Sequence, residues 1–115
     1  MTLELSDLDT IKNNALKKFE ERVGGAGNKR DELERESLRL ESQLEQLYSF
    51  TAMMARRQPD VAGTAELWDN LVKTCDLFAG KIYQLTQQYS LETAAYDNIL
   101  DMRGAAEELR ALHRP

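Results

Sequence analysis

The 115-residue sequence predicts an all-α protein, an antiparallel helical hairpin or bundle of three helices, or of four if the last helix breaks. Leu, Glu, Ala, Gln and Arg are abundant, whereas the chain has only six glycines and two prolines, a composition typical of long helices. Apolar residues recur at spacings of three and four along most of the chain, as on one face of an amphipathic helix. No segment alternates apolar and polar residues as a half-buried strand does. The length suits a single helical domain over residues 1–115.

The first helix is predicted over about residues 6–23. Leu8, Ile11 and Ala15 begin a stripe that lies along one helix face. The glycine-rich residues 24–27 then predict a loop, because glycine is unfavourable inside a helix and permissive in a turn. A glycine-rich loop can also bind phosphate, but the phosphate-loop pattern needs a preceding strand and a Gly-Lys-Ser/Thr ending. Both are missing, so residues 24–27 are interpreted as a connector.

The second helix is predicted over about residues 28–57 and carries the most regular pattern. Leu33, Leu40 and Leu47 are separated by seven residues, as in the apolar seam of a coiled coil. Small polar residues, Ser37 and Thr51, interrupt this seam and suggest a specified register. Such a seam pairs with another helix, and the pattern leaves open whether that helix belongs to the same chain.

A loop is predicted over residues 58–63, because Pro59 cannot continue a helix. The apolar spacing resumes at about residue 64 and continues to about residue 113. One helix of about 50 residues would be about 75 Å long, against roughly 45 Å for the second helix. Either the chain bends near Ser90, or its C-terminal third projects and needs a partner. The unbroken spacing slightly favours a continuous or gently bent helix.

Together the apolar positions of these helices define a candidate helix-pairing interface. Burial of this Leu-rich and aromatic surface would drive assembly, and the charged flanks would set register and partner choice. The predicted interface consists of Leu33, Leu40, Leu44, Leu47, Met54, Trp68, Leu71, Phe78, Ile82, Tyr89, Tyr96 and Ile99.

The net charge of −5 is unevenly distributed. Residues 1–57 are almost balanced, whereas residues 60–108 hold nine acids and three bases, a net charge of −6. An acidic surface repels phosphate backbones, so no nucleic-acid partner is expected. The sequence has no apolar run long enough to span a membrane and no recognisable secretion signal. With a single cysteine, these features predict a cytoplasmic protein.

The inventory of reactive residues predicts a protein that is not an enzyme and uses no cofactor or metal. The single histidine, His113, lies two residues from the end of the sequence, where an imidazole is poorly placed to serve as a catalytic base. Cys75 falls between two apolar seam positions, as expected for a packed thiol. The spacings of helical di-iron and zinc sites do not occur. No small-molecule substrate is expected.

Two functions are compatible with these patterns. The first is a protein–protein interaction module, a small helical subunit or adaptor that forms a homodimer or pairs with another helical protein. The alternative is a small acidic chaperone or regulator that binds a client or an export substrate. Only the first follows from a specific pattern, since the second depends on acidity and size alone.

Overall fold

The chain folds into four helices in a computed structural model that describes residues 3–113. No strand occurs among these residues, which confirms the predicted all-α class. The helices, in chain order, are α1 (Leu5–Ala26), α2 (Arg30–Arg57), α3 (Val61–Tyr89) and α4 (Ala95–Leu112).

Short connections make consecutive helices antiparallel. Along α3 and α4, Asp76 pairs with Arg103 and Asp69 pairs with Arg110, so the residue numbers run in opposite directions. Two antiparallel steps leave α2 and α4 parallel to each other. On this side of the bundle, Asn98 Nδ2 donates a hydrogen bond of 2.6 Å from α4 to a carboxylate oxygen of α2.

The helices do not form a closed ring of four. α2 packs against all three other helices, and the most extensive packing joins α3 and α4. α1 packs along α2, touches α3 at few points and does not approach α4 within the described chain. An ion pair of 2.6 Å between Lys81 and Glu20 links α3 to α1. The result is a flat bundle with extents of 48 × 28 × 15 Å.

Most of the glycine-rich segment 24–27 was predicted wrongly as a loop. Gly24 and Gly25 lie inside α1, which continues to Ala26, and α2 begins at Arg30. A glycine within a helix costs only about 1 kcal/mol relative to alanine, so tertiary packing can override it. Here the extra turn places Ala26 in the core, at 5% exposure. Within this segment only Gly27 has a positive φ, 63° with ψ of −127°, and makes the turn.

Replacing Gly27 by alanine is expected to destabilise the fold by about 1–2 kcal/mol, because a β-carbon disfavours this backbone conformation. No heavy atom lies within 4 Å of the added carbon, so the cost is conformational rather than a clash. The matched variant Gly25→Ala, in equally open space inside α1, is expected to be neutral or stabilising by up to about 1 kcal/mol. Urea unfolding measures both. Equal effects of the two substitutions would contradict this assignment of the turn.

The predicted loop at 58–63 is shorter than expected. α3 begins at Val61 because Asp60 caps it, with its Oδ1 accepting a hydrogen bond from the Ala62 N–H at 3.3 Å. Aspartate is a favoured residue at this position. The Thr64 hydroxyl donates to the Asp60 carbonyl at 3.0 Å, within the first turn of α3.

The preference for a continuous third helix was also wrong, because the chain breaks after Tyr89. Ser90 adopts a left-handed conformation (φ 50°, ψ 44°), and the Leu91 N–H donates to the Thr86 carbonyl at 3.1 Å. This six-to-one hydrogen bond is the Schellman termination of a helix. The break lets α4 fold back along α3 and bury Ile99, which has no exposed area. The described chain therefore has no projecting C-terminal third, and that argument for a partner is lost.

Candidate binding groove between α2 and α4

The twelve predicted interface residues pack inside the chain. Three of them, Met54, Tyr89 and Tyr96, are half-buried and pack against the core. The other nine are core residues themselves: Leu33, Leu40, Leu44, Leu47, Trp68, Leu71, Phe78, Ile82 and Ile99. The seam thus pairs helices of one chain, and the folded monomer offers little of it to a second chain.

The polar residues within the seam do not act across helices. The Ser37 hydroxyl donates to the Leu33 carbonyl at 3.0 Å, and the Thr51 hydroxyl donates to the Leu47 carbonyl at 2.8 Å. Both bonds stay within α2 and are buried. Because the hydroxyls are satisfied in their own helix, they do not specify the register suggested by the sequence.

The residues considered for chemistry are held in the fold. Cys75 is fully buried, and burial, with a smaller contribution from Asp76, raises the pKa of its thiol to about 12. The thiolate that reacts as a nucleophile is therefore scarce at neutral pH. His113 lies at the end of α4 with its Nδ1 2.7 Å from the Leu109 carbonyl oxygen.

Residues 3–113 contain neither a metal-binding cluster nor a membrane-spanning helix. No three or more His, Cys, Asp or Glu side chains are grouped so as to hold a metal ion. None of the four helices combines the length and the apolar character needed to cross a bilayer.

Ion pairs between α3 and α4 fix the orientation of the arginine side chains of α4. Arg110 contacts Asp69 at 2.8 Å, and Arg103 pairs with Asp76. Hydrogen bonds from Lys73 and then from Arg110 lower the pKa of Asp69 below its usual 3.8. Both arginines of α4 therefore face α3. The outer surface of the same helix carries only acidic charges, on Asp97, Asp101 and Glu108, all exposed.

A shallow groove of about 400 Å³ lies between the parallel helices α2 and α4. The side chains that line it follow a three-four spacing on each helix, which places them on facing sides. Tyr48, Met102 and Ala105 form its apolar floor, and the carboxylates of Glu45 and Asp101 stand at its rim. Ser49 completes the lining. The groove therefore combines an apolar surface with charge of a single sign.

Tyr48 connects the groove to the core. Its ring lies 5.5 Å, centroid to centroid, from that of Trp68, which is 4% exposed and is the single tryptophan of the sequence. The Trp68 Nε1–H is buried and has no hydrogen-bond partner among the described residues. Buried N–H groups are usually paired, so this one is uncommon. Trp68 fluorescence is therefore placed to report on changes at Tyr48.

Other depressions have mixed charge. One, of about 550 Å³ at one end of the bundle, is lined by Met53, Met54 and Leu67 and has Glu4, Glu66 and Arg57 beside them. A second, of about 320 Å³, lies between α1 and α2 and brings three bases and one acid together: Lys18, Arg22, Arg39 and the buried Glu36. Arg39 contacts Glu36 at 3.0 Å, so one of the three positive charges is neutralised within the site. Both depressions therefore hold charges of both signs, whereas the α2–α4 groove is lined by acidic charge alone.

Comparisons with protein-family models, with curated proteins and with solved structures found no match to the chain. The function must therefore be inferred from the chain itself. None of the residues that line the groove was in the predicted interface, and its floor of Tyr48, Met102 and Ala105 was missed because apolar residues were ranked by seam position alone. The acidic excess of residues 60–108, which includes Asp101, was the one signal in the sequence that pointed towards this surface.

Proposed function

We propose that this protein is an interaction module, a small helical subunit or adaptor that binds another protein through the groove between α2 and α4. The observation that carries the proposal is the apolar floor of Tyr48, Met102 and Ala105, open to solvent and edged by carboxylates. Buried apolar anchors surrounded by a polar rim are the usual composition of protein interfaces. The seam residues support this role indirectly, since they hold α2 and α4 in place.

Charge argues for a different protein as partner rather than a second copy. A two-fold dimer would place the same surface of each chain against itself. Pairing along the outer surface of α4 would then oppose Asp97, Asp101 and Glu108 to their own copies. Like charges across an interface are repulsive and suppress such a contact. The purified chain is therefore expected to be a monomer of 13.1 kDa in light scattering over a wide range of concentration.

Site-specific photo-crosslinking in the cells that produce the protein tests the proposal. A photoreactive residue at Ser49, which lines the groove, is expected to yield one discrete cross-linked product. The same residue at Gln84, exposed on α3, is the matched control and should yield none. Cross-links that are absent at Ser49, or equal at both positions, would refute a binding role for the groove.

A further inference from the structure

We infer that the groove between α2 and α4 binds a basic amphipathic helix of the partner protein, with Leu or Phe side chains on one face and Lys or Arg beside them. This inference rests on the proposed function and names the partner's chemistry. Three features of the groove lead to it: the sign of its charge, the availability of that charge, and the kind of backbone that can lie on it.

The charge along the groove is negative throughout. Residues 41–55 of α2 hold two acids, Glu41 and Glu45, and no base. Just before this stretch, Arg39 turns to the α1 side of the helix, where it pairs with Glu36. On α4, Arg103 and Arg110 are held by carboxylates of α3. A binding segment therefore meets carboxylates along both walls.

The two carboxylates at the rim, Glu45 and Asp101, are free to bind a cation. None of the ion pairs within residues 3–113 includes Glu45 or Asp101. Both residues are exposed at the rim rather than buried. Ion pairs at an exposed rim mainly guide association and selectivity, while the apolar floor supplies affinity. A segment with basic residues on either side of an apolar anchor can pair with the acidic rim and pack against the apolar floor.

Because its walls are helices, the groove requires a partner segment whose backbone hydrogen bonds are made within the segment itself. α2 and α4 use their main-chain donors and acceptors within themselves, so they cannot pair with an extended strand. A helix satisfies its own backbone groups. It also presents a row of side chains on one face, which can pack against Tyr48, Met102 and Ala105. Met102 is flexible and Ala105 is small, which lets the floor accept an anchor of either Leu or Phe.

The chain itself lacks a suitable occupant. α1 is the only one of the four described helices without a net negative charge, with four bases and four acids, but its apolar stripe is already packed against the core. Leu8 and Phe19 of that stripe are 2% and 7% exposed. A second copy could occupy the groove only by releasing α1, so a separate basic helix is the better fit.

A fluorescently labelled amphipathic peptide of Leu and Lys, without tryptophan, is the probe. We expect it to bind the folded protein, to change Trp68 fluorescence, and to bind more weakly as salt is raised. The double variant Glu45→Lys/Asp101→Lys should weaken binding about tenfold or more, because attraction becomes repulsion. The control Glu21→Lys/Glu66→Lys makes the same change in net charge at exposed positions away from the groove and should change affinity by less than about threefold.

Each outcome is decisive. Equal weakening by the two double variants would mean that net charge alone attracts the peptide, and equal binding of a Leu and Glu peptide would remove the charge argument. Binding unaffected by the groove variant would place the site elsewhere, and self-association that the peptide reverses would identify a second copy as the occupant. If the peptide did not bind but the photoreactive residue at Ser49 still gave its cross-linked product, only this inference would be overturned. Loss of the cross-link would overturn the proposed function.

Discussion

Leu40→Asp is expected to unfold the chain, whereas Leu38→Asp is expected to leave it folded. Leu40 is 2% exposed and Leu38, two residues away on the same helix, is 44% exposed. An aspartate at the buried position loses the apolar burial of leucine and leaves a charge without a partner in the core. We expect this to lower the free energy of unfolding by about 5 kcal/mol or more. Domains of this size have a total stability of only about 5–15 kcal/mol. Far-ultraviolet circular dichroism and urea unfolding measure the difference.

The two substitutions also distinguish a seam that packs helices of one chain from a seam that joins separate chains. If the Leu40→Asp protein kept its helicity and lost only a self-associated state, the seam would join separate chains. The expected result is instead a loss of helicity that does not depend on protein concentration. Leu38→Asp should change the free energy of unfolding by no more than about 1 kcal/mol, because its side chain is largely in solvent.

Phe78→Ala is expected to lower the free energy of unfolding by about 3–5 kcal/mol. Phe78 lies in the middle of α3, has no exposed area and is the largest fully buried side chain of the core. Its removal loses apolar burial and leaves a cavity that the rigid helices can fill only in part. Thermal or urea denaturation gives the value directly.

Leu77→Ala provides the matched control, since the neighbouring side chain on α3 is 41% exposed. It should cost less than about 1 kcal/mol. Phe78→Leu, which keeps most of the buried volume, should recover much of the loss. Comparable costs at positions 77 and 78 would show that α3 does not bury the face described here.

The apolar spacing was sufficient to predict the helices and their buried face, because it reflects a local property of each helix. Leu33, Leu40 and Leu47 all lie in the core as their seven-residue spacing implies. The errors lie at the boundaries. Gly24 was misread because propensity was weighed without the burial of Ala26. A break at Ser90 was considered but not preferred, because the apolar spacing continues past it and serine is seldom left-handed.

The groove could not be predicted because it depends on contacts between residues distant in sequence. Tyr48 and Met102 share a surface only after α3 and α4 fold back on each other and place α4 beside α2. The sequence did indicate an acidic half. It could not show that Arg103 and Arg110 face α3 and leave the other side of α4 without bases.

The attachment of α1 has a consequence for how the protein opens. α1 has four buried residues, against eleven for α3, and is held mainly by α2. Segments with little burial undergo local unfolding at a lower free energy than the whole domain. Amide hydrogens of α1 should therefore exchange with solvent well before those of α3. Each such opening would separate Phe19 from Leu40 and transiently expose an apolar strip of α2, on the opposite side of that helix from the groove.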